Sequence, residues 1–193
     1  MPPKMKFDQT VVLDTAFEIL KKKGWTAVTA RSVAQALKAS TMPVYSAIGS
    51  MQDLEMKLKQ KAYAVFADFQ SKTYTDNELL NMAVGQVLFA RDEPFLYRFL
   101  HFDRPVPLSS REQKELTEEV SRRLGRPIPY DAYFGMIGSE ALSEISLQSW
   151  IFTHGFAVGV MNKNLPPMSD TEIIKRLQNA GGAFVSWANK KTR

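Results

Sequence analysis

Helical periodicity is the sequence feature that most constrains this fold. It recurs from about residue 8 to residue 187, and no hairpin-turn dipeptide separates alternating strands. The first periodic segment, about residues 8–23, places Val12, Ala16 and Leu20 on one stripe and ends in three lysines before Gly24. Cations in a last helical turn suit the negative end of the helix dipole, and glycine is common just beyond a helix C-terminus. The sequence therefore predicts an all-α fold of about nine helices.

Two short helices separated by a tight turn follow this first helix. Thr29 is a good N-cap for a helix at about 29–37, and Ser40 can cap another at about 40–47. Pro43 is compatible with the second helix, because in a first turn its missing N–H would have no partner anyway. Two short helices joined in this way form the helix-turn-helix arrangement, whose second helix lies in the DNA major groove.

The excess positive charge of the chain lies at its N-terminal end. Residues 1–61 carry ten basic and five acidic side chains, a net charge of +5, and the remaining 132 residues are neutral overall. A polyanionic partner for this end is the direct physical interpretation. A charge of this size on some sixty residues also fits an ordinary solvated surface, so charge alone leaves both interpretations open.

The run from Thr15 to Leu37 (TAFEILKKKGWTAVTARSVAQAL) and its continuation from Ser40 to Leu54 (STMPVYSAIGSMQDL) resemble the N-terminal domain of TetR-family transcriptional regulators. The resemblance covers about residues 8–60, across several helices in register. It implies a DNA-binding domain at 1–61, with its helix-turn-helix at about 29–48. A larger helical domain for ligand binding and dimerisation would then occupy residues 62–193.

The resemblance also implies roles for individual residues. Arg31 would bind a DNA phosphate, for which its guanidinium group is well suited, and the Tyr45 hydroxyl would reach the DNA backbone unless the ring is simply packed. Thr41 would lie at the exposed start of the recognition helix, near base edges. The full candidate DNA-binding set is Lys4, Lys6, Thr29, Arg31, Ser40, Thr41, Met42, Pro43, Tyr45 and Ser46.

This chain departs from the family pattern at two positions. Ile48 stands where an aromatic residue is usual, which is a tolerable change in a core. Met51 stands where the family usually has a phosphate-binding lysine at the start of the fourth helix. Loss of one phosphate contact should weaken DNA binding and lower its salt dependence by about one unit of slope.

The C-terminal part of the chain contains most of the aromatic residues, which can form a helical core or line a pocket between helices. The candidate pocket residues are Phe99, Phe102, Tyr133, Met136, Trp150 and His154. A lone histidine such as His154 can equally be a core or interface residue. Small residues and apolar faces near the C-terminus favour a homodimer, with the candidate interface residues Gly155, Gly159, Ile173, Leu177, Gly181 and Phe184.

No motif of enzymatic chemistry is present in the sequence. It has no nucleophile elbow, P-loop, dinucleotide-binding glycine pattern or metal-ligand spacing, and it has no cysteine. No secretory signal is readable, and the most apolar stretch is too short to span a bilayer, so we expect a cytoplasmic protein without cofactor or metal.

The function predicted from the sequence is a ligand-released repressor. It would bind a palindromic operator as a homodimer and respond to a small apolar or aromatic effector. The alternative is a helical adaptor of the same fold that has lost specific DNA binding.

Overall fold

The computed structural model describes residues 7–103 and 140–191, together with the single positions 111, 118, 122 and 125. Every regular element in these residues is helical, and none of them lies in a β-strand. The all-α prediction is therefore confirmed. No helix in the described ranges is both long and apolar enough to cross a membrane.

The described residues contain eight α-helices. They are α1 (Gln9–Lys23), α2 (Ala30–Ala36), α3 (Thr41–Ile48), α4 (Met51–Gln70), α5 (Glu78–Asp92), α6 (Pro94–Arg98), α7 (Glu140–Met161) and α8 (Asp170–Lys191). A 3-10 turn at Trp25–Ala27 separates α1 from α2, and a π-helical turn at Phe99–Asp103 continues α6. The sequence predicted the helices, but neither of these two irregular turns.

The chain divides into two compact units. The first unit contains residues 1–64 and 93–107, and the second contains residues 65–92 and 108–193. The division after residue 61 stays a prediction. The structure adds segment 93–107 to the N-terminal unit, a segment that the sequence placed in the C-terminal domain.

The first unit is built around α1, which packs against α2, α3 and α6. Asp8 caps α1 by accepting a hydrogen bond from the Thr10 backbone N–H at 3.0 Å. Val12 and Leu20 are fully buried. They belong to a core of small and medium aliphatic side chains that also contains Ala16, Val33, Ala34, Val44, Ile48, Leu54 and Leu58.

Segment 93–103 belongs to the first unit because it packs on the end of α1. Gly24 has φ +80°, and a Cβ there would lie 3.1 Å from the Phe95 ring, so glycine is needed for both backbone and space. The Phe99 ring packs 5.1 Å from that of Trp25, measured between centroids. Lys21 Nζ lies 2.7 Å from Glu93 Oε1. Aromatic contacts and an ion pair thus hold this segment in place.

In the second unit, α5, α7 and α8 pack against one another. The end of α4 approaches α5 so closely that a Cβ at Gly85 would lie 2.4 Å from the Phe69 carbonyl oxygen. Arg91 near the end of α5 donates a hydrogen bond from Nη1 to Asp170 Oδ1 at the start of α8, over 2.6 Å. The close contact at Gly85 therefore joins α4 to α5, and the Arg91–Asp170 ion pair joins α5 to α8.

Candidate nucleic-acid interface

A four-residue turn joins α2 and α3, as the sequence predicted. Lys38 lies in the left-handed region with φ 53°, and its backbone N–H donates to the Gln35 carbonyl oxygen at 3.1 Å. The Ala39 N–H donates to the Ala34 carbonyl oxygen at 2.9 Å. These bonds end α2 and reverse the chain, and α3 then packs on α2.

A reciprocal cap fixes the start of α2. The Thr29 hydroxyl oxygen accepts from the Ser32 N–H at 3.0 Å, and the Ser32 hydroxyl oxygen accepts from the Thr29 N–H at 3.0 Å. Ser32 also donates its hydroxyl to the Ala27 carbonyl oxygen at 2.8 Å, which ties the cap to the preceding turn. Arg31 lies within this capped first turn, and its side chain is exposed.

Helix α3 has one buried and one exposed face. Val44 and Ile48 are 0% and 3% exposed and pack into the core. Met42 is 74% exposed and Tyr45 is 45% exposed. Thr41 and Ser46 are also exposed, and Pro43 is half-buried. Nearly half of Tyr45 meets solvent, so the side chain is accessible, and its contact with DNA stays a prediction.

Two neighbouring helices hold the end of α3 through an exposed glutamine. Gln9 Nε2 donates to the Ala47 carbonyl oxygen at 2.8 Å, and Lys57 Nζ donates to Gln9 Oε1 at 2.7 Å. This chain of hydrogen bonds links α4, α1 and α3. Gln9 was not predicted from the sequence, because an exposed polar residue in a first helical turn carries no signal of a long-range contact.

The start of α4 is capped in the same manner as that of α2. The Ser50 N–H donates to Asp53 Oδ2 at 3.1 Å, and the Asp53 N–H donates to Ser50 Oγ at 3.0 Å. Met51 is the first residue of this helix and is half-buried. A methionine has no charge to offer a phosphate, so the departure noted in the sequence stands in the folded chain.

Ion pairs neutralise much of the positive charge of the first unit. The pairs of this unit's lysines are Lys21–Glu93, Lys22–Glu18, Lys59–Glu55 and Lys61–Asp14. Among the described lysines and arginines of residues 7–64, Lys23, Arg31 and Lys38 are exposed and form no ion pair. Arg31 lies on α2 and Lys38 lies in the turn before α3, so both exposed cationic groups belong to the helix-turn-helix.

The remaining predicted DNA-binding residues are placed as follows. Ser40 is the N-cap of α3 and makes no side-chain capping hydrogen bond, and it is exposed beside Thr41. Thr29 is exposed and already serves as the cap of α2. Lys4 and Lys6 lie outside the described residues. The structure therefore brings the predicted residues of α3, its cap and the first turn of α2 into one small helical unit.

The second unit contains a cavity of about 460 Å³. Its lining is mainly apolar, from the start of α5 and from α7 and α8, and includes Leu79, Leu80, Ala83, Ile145, Phe152 and Phe184. Ser149, Thr153 and Gln178 add polar groups to the same lining. The volume of the cavity lies within the range of small-molecule sites. The cavity opens to solvent, because Leu79, Phe152 and Val185 of its lining are exposed.

The described residues of the predicted pocket do not line this cavity. Phe99 and Phe102 belong to the first unit, where Phe99 is fully buried beside Trp25. Trp150 is 51% exposed, and its ring stacks on His154 with centroids 5.5 Å apart. Burial lowers the pKa of the His154 imidazole. The pocket residues predicted from the sequence do not include those of the cavity, because helical periodicity does not show which segment packs on α1. Tyr133 and Met136 lie outside the described residues.

The predicted dimer residues differ in how far their own unit covers them. Ile173 and Leu177 are 0% and 5% exposed, so their own unit already covers them. A Cβ on Gly159 would lie 2.9 Å from the Leu165 side chain, whereas Gly155 and Gly181 face open space. Phe184 is half-buried, with its ring 6.2 Å from that of Phe152. The large apolar side chains exposed on α7 and α8 are Leu147, Trp150, Ile151, Phe152, Val185 and Trp187.

The structure of this chain is similar to a solved structure of another protein. The crystal structure of apo ActR from Streptomyces coelicolor aligns over 98% of this chain and 100% of its own, with 18% identical residues and a TM-score of 0.49. No protein-family profile matches the chain, and no curated protein sequence matches it. We therefore infer function from the residues of this chain alone.

Proposed function

We propose that this protein is a sequence-specific DNA-binding transcriptional regulator of the TetR type. The observation that carries the proposal is the construction of α3. Val44 and Ile48 anchor it in a core, while Thr41, Met42 and Tyr45 are presented to solvent. A short, rigidly held helix that follows a tight turn and exposes side chains from its first residues is what major-groove binding requires.

The cationic groups of the helix-turn-helix support DNA as the partner. Arg31 and Lys38 are exposed and form no ion pair. Four other lysines of the unit are paired with carboxylates, namely Lys21, Lys22, Lys59 and Lys61. Phosphate contacts position a protein on DNA, and base contacts then specify the sequence. Arg31 would bind a phosphate, and the exposed face of α3 would contact base edges.

We propose that the protein acts as a homodimer on a palindromic operator. Exposed Leu147, Trp150 and Ile151 on α7, with Val185 and Trp187 on α8, form the kind of apolar surface that a second copy would cover. Two copies related by a two-fold axis present two recognition helices to two half-sites about one DNA turn apart.

The proposed regulation is release from the operator by a small effector. The 460 Å³ cavity of the second unit, with its apolar lining and few polar groups, suits an apolar or aromatic molecule. An effector weakens DNA binding only to the extent that it prefers the form released from DNA. Calorimetric titration should therefore show weaker effector binding to the operator-bound protein, and equal affinity for both forms would contradict release.

Two experiments test DNA binding. The full chain first selects binding sites from a random duplex library, and anisotropy titrations over a range of salt concentrations then measure its affinity for them. We expect enrichment of a palindromic sequence, and affinity that falls steeply with salt. Arg31→Ala should weaken binding and reduce the salt slope by about one unit, because one phosphate contact is lost. Tyr45→Phe should weaken binding while the thermal unfolding curve stays unchanged, because the hydroxyl lies on an exposed side chain.

A helical adaptor that does not bind specific DNA is the second candidate function, and Met51 is the observation that favours it. The start of α4 has no cation on its first residue. An adaptor would enrich no sequence in the selection, and Arg31→Ala and Tyr45→Phe would then change no DNA affinity. The same experiment therefore separates the two functions.

A further inference from the structure

The chemistry of the exposed α3 face limits which bases it can distinguish. Helix α3 runs from Thr41 to Ile48, and none of its eight residues is Arg, Lys, Asn, Gln, Asp or Glu. Bidentate readout of guanine uses Arg or Lys, that of adenine uses Asn or Gln, and cytosine is read by Asp or Glu. None of these hydrogen-bonding codes is available on this helix.

The side chains that α3 does expose are apolar or carry a hydroxyl. Met42 is its most exposed large apolar residue, at 74%. At about 100° per residue, Met42 lies on the exposed face between Tyr45, about 60° to one side, and Ser46, about 40° to the other. Exposed Thr41 lies beyond Tyr45, about 100° from Met42. Hydroxyl groups pair with donors or acceptors on any base, so Ser46 contributes little discrimination.

We propose that Met42 is a specificity-determining residue that selects thymine in each operator half-site through contact with the thymine C5-methyl group. This inference rests on the proposed DNA-binding function and names the chemistry that α3 recognises. The C5-methyl is the only apolar group on a base edge in the major groove, and apolar side chains recognise it. The Thr41 methyl and the Tyr45 ring edge extend the same apolar surface.

The groups around α3 leave this role to Met42. Arg31 and Lys38 lie outside α3, on α2 and in the turn, where phosphates are the expected partners. Gln35 is exposed on α2, the helix that crosses the DNA backbone in this arrangement. Contact between an exposed thioether and an apolar group removes apolar surface of both from water, which is favourable, and methionine adapts well to such contacts.

Deoxyuridine substitution in the selected operator tests the proposal, because it removes the methyl group and keeps every hydrogen-bonding group. The probe is the enriched duplex from the selection, with thymines replaced one at a time, titrated with the full-length protein by anisotropy. We expect about a fourfold loss of affinity at the thymine that Met42 contacts. Replacing the same thymine with 5-methylcytosine, paired with guanine, should retain part of the affinity because the methyl group is kept.

Variants of Met42 make the assignment specific. Met42→Ala should weaken binding to the thymine duplex and abolish the difference between thymine and deoxyuridine at one position per half-site, while Met42→Leu should keep that difference. Met56 on α4 is 52% exposed and gives a matched control, because Met56→Ala should leave thymine discrimination intact. Thermal unfolding of all three variants should match that of the wild type, since each changed side chain is exposed.

The outcomes separate this inference from the proposed function. The selection can enrich a palindrome whose deoxyuridine versions all bind as tightly as the original. That result overturns recognition of the thymine methyl group and leaves the proposed DNA binding in place. Equal thymine discrimination by the wild type and Met42→Ala overturns the role of Met42. A selection that enriches no sequence overturns the proposed function itself.

Discussion

The two units treat their apolar side chains differently. In the first unit, most aliphatic residues of α1 to α3 are covered. The large apolar side chains that it exposes are spread over several elements and are Val11, Met42, Tyr45, Met56, Phe95 and Phe102. In the second unit, α7 and α8 leave Leu147, Trp150, Ile151, Val185 and Trp187 exposed, although the same helices bury Ile173 and Leu177. The first unit covers its own core, whereas the second leaves apolar surface that suits a partner.

The two surfaces suit different parts of the proposed function. Caps, ion pairs and the Gln9 hydrogen bonds to Ala47 and Lys57 give the first unit a fixed surface without help from another chain. Rigid elements hold a recognition helix in one register on DNA. The second unit exposes aromatic and aliphatic groups together with a cavity, which are the properties of surfaces that bind a second copy or a small molecule.

Truncating the buried face of α3 should have the largest effect. Ile48→Ala removes a side chain that is 3% exposed, and it should lower the free energy of unfolding by about 2–5 kcal/mol. Met42→Ala on the opposite face should change it by less than about 0.5 kcal/mol. Chemical denaturation measures both variants. Similar losses of unfolding free energy in the two variants would show that α3 does not have one buried and one exposed face.

A charge on the exposed apolar face of α7 should dissociate the proposed homodimer. Ile151→Glu places a carboxylate on the surface that a second copy would cover, and we expect at least about a 100-fold weaker association, or about 2.7 kcal/mol. Sedimentation equilibrium measures it, with Asn179→Glu on an exposed position of α8 as the control. A wild type that is monomeric at high concentration, or an Ile151→Glu variant that stays dimeric, would contradict the partner surface.

Removal of the α2 cap should have a moderate effect. Thr29→Ala deletes the hydroxyl that accepts from the Ser32 N–H, and should cost about 1 kcal/mol of unfolding free energy. Thr29→Ser keeps the cap and should restore stability, and exposed Thr26 provides the control variant Thr26→Ala. If Thr29→Ser restores stability but not DNA affinity, the Thr29 methyl group contacts DNA. If neither variant changes either quantity, the cap is unimportant.

Acid should weaken the second unit slightly through His154. Burial lowers the pKa of this imidazole below its ordinary 6.5, so the unfolded chain binds the proton more readily than the folded chain. Its contribution to stability is therefore full above pH 6.5 and is lost as the pH falls from 6.5 toward the lower folded-state pKa. Thermal melts of the wild type and His154→Gln between neutral pH and pH 5 measure the effect. Parallel pH profiles for the two proteins would rule out this role.

The sequence was sufficient to predict the helices but not every long-range contact. The stripe of Val12, Ala16 and Leu20 and the cap at Thr29 are local patterns, and the structure contains both. The packing of segment 93–103 on α1 depends on the fit of Phe95 over Gly24 and of Phe99 beside Trp25. No periodicity encodes such pairings, so the sequence placed Phe99 and Phe102 in the wrong unit for the predicted pocket.

The candidate reading face could be predicted more fully than the candidate pocket. The exposed residues of α3 follow from its position after a tight turn and from the four-residue spacing of Val44 and Ile48. The cavity of the second unit depends on how α5, α7 and α8 meet, and Leu79, Ser149 and Gln178 give no local sign of a shared lining. Sites within one short helix are therefore accessible to sequence reasoning, whereas sites shared by distant helices need the fold.

Photocrosslinking from α3 tests most directly whether this helix contacts DNA. A diazirine-bearing amino acid would replace Met42 in the full-length protein, and in a control protein it would replace exposed Asn179 on α8. Irradiation with the selected duplex should crosslink position 42 to bases of the half-site, with no crosslink from position 179. Equal crosslinking from both positions, or crosslinking of position 42 to protein alone, would contradict DNA recognition by α3.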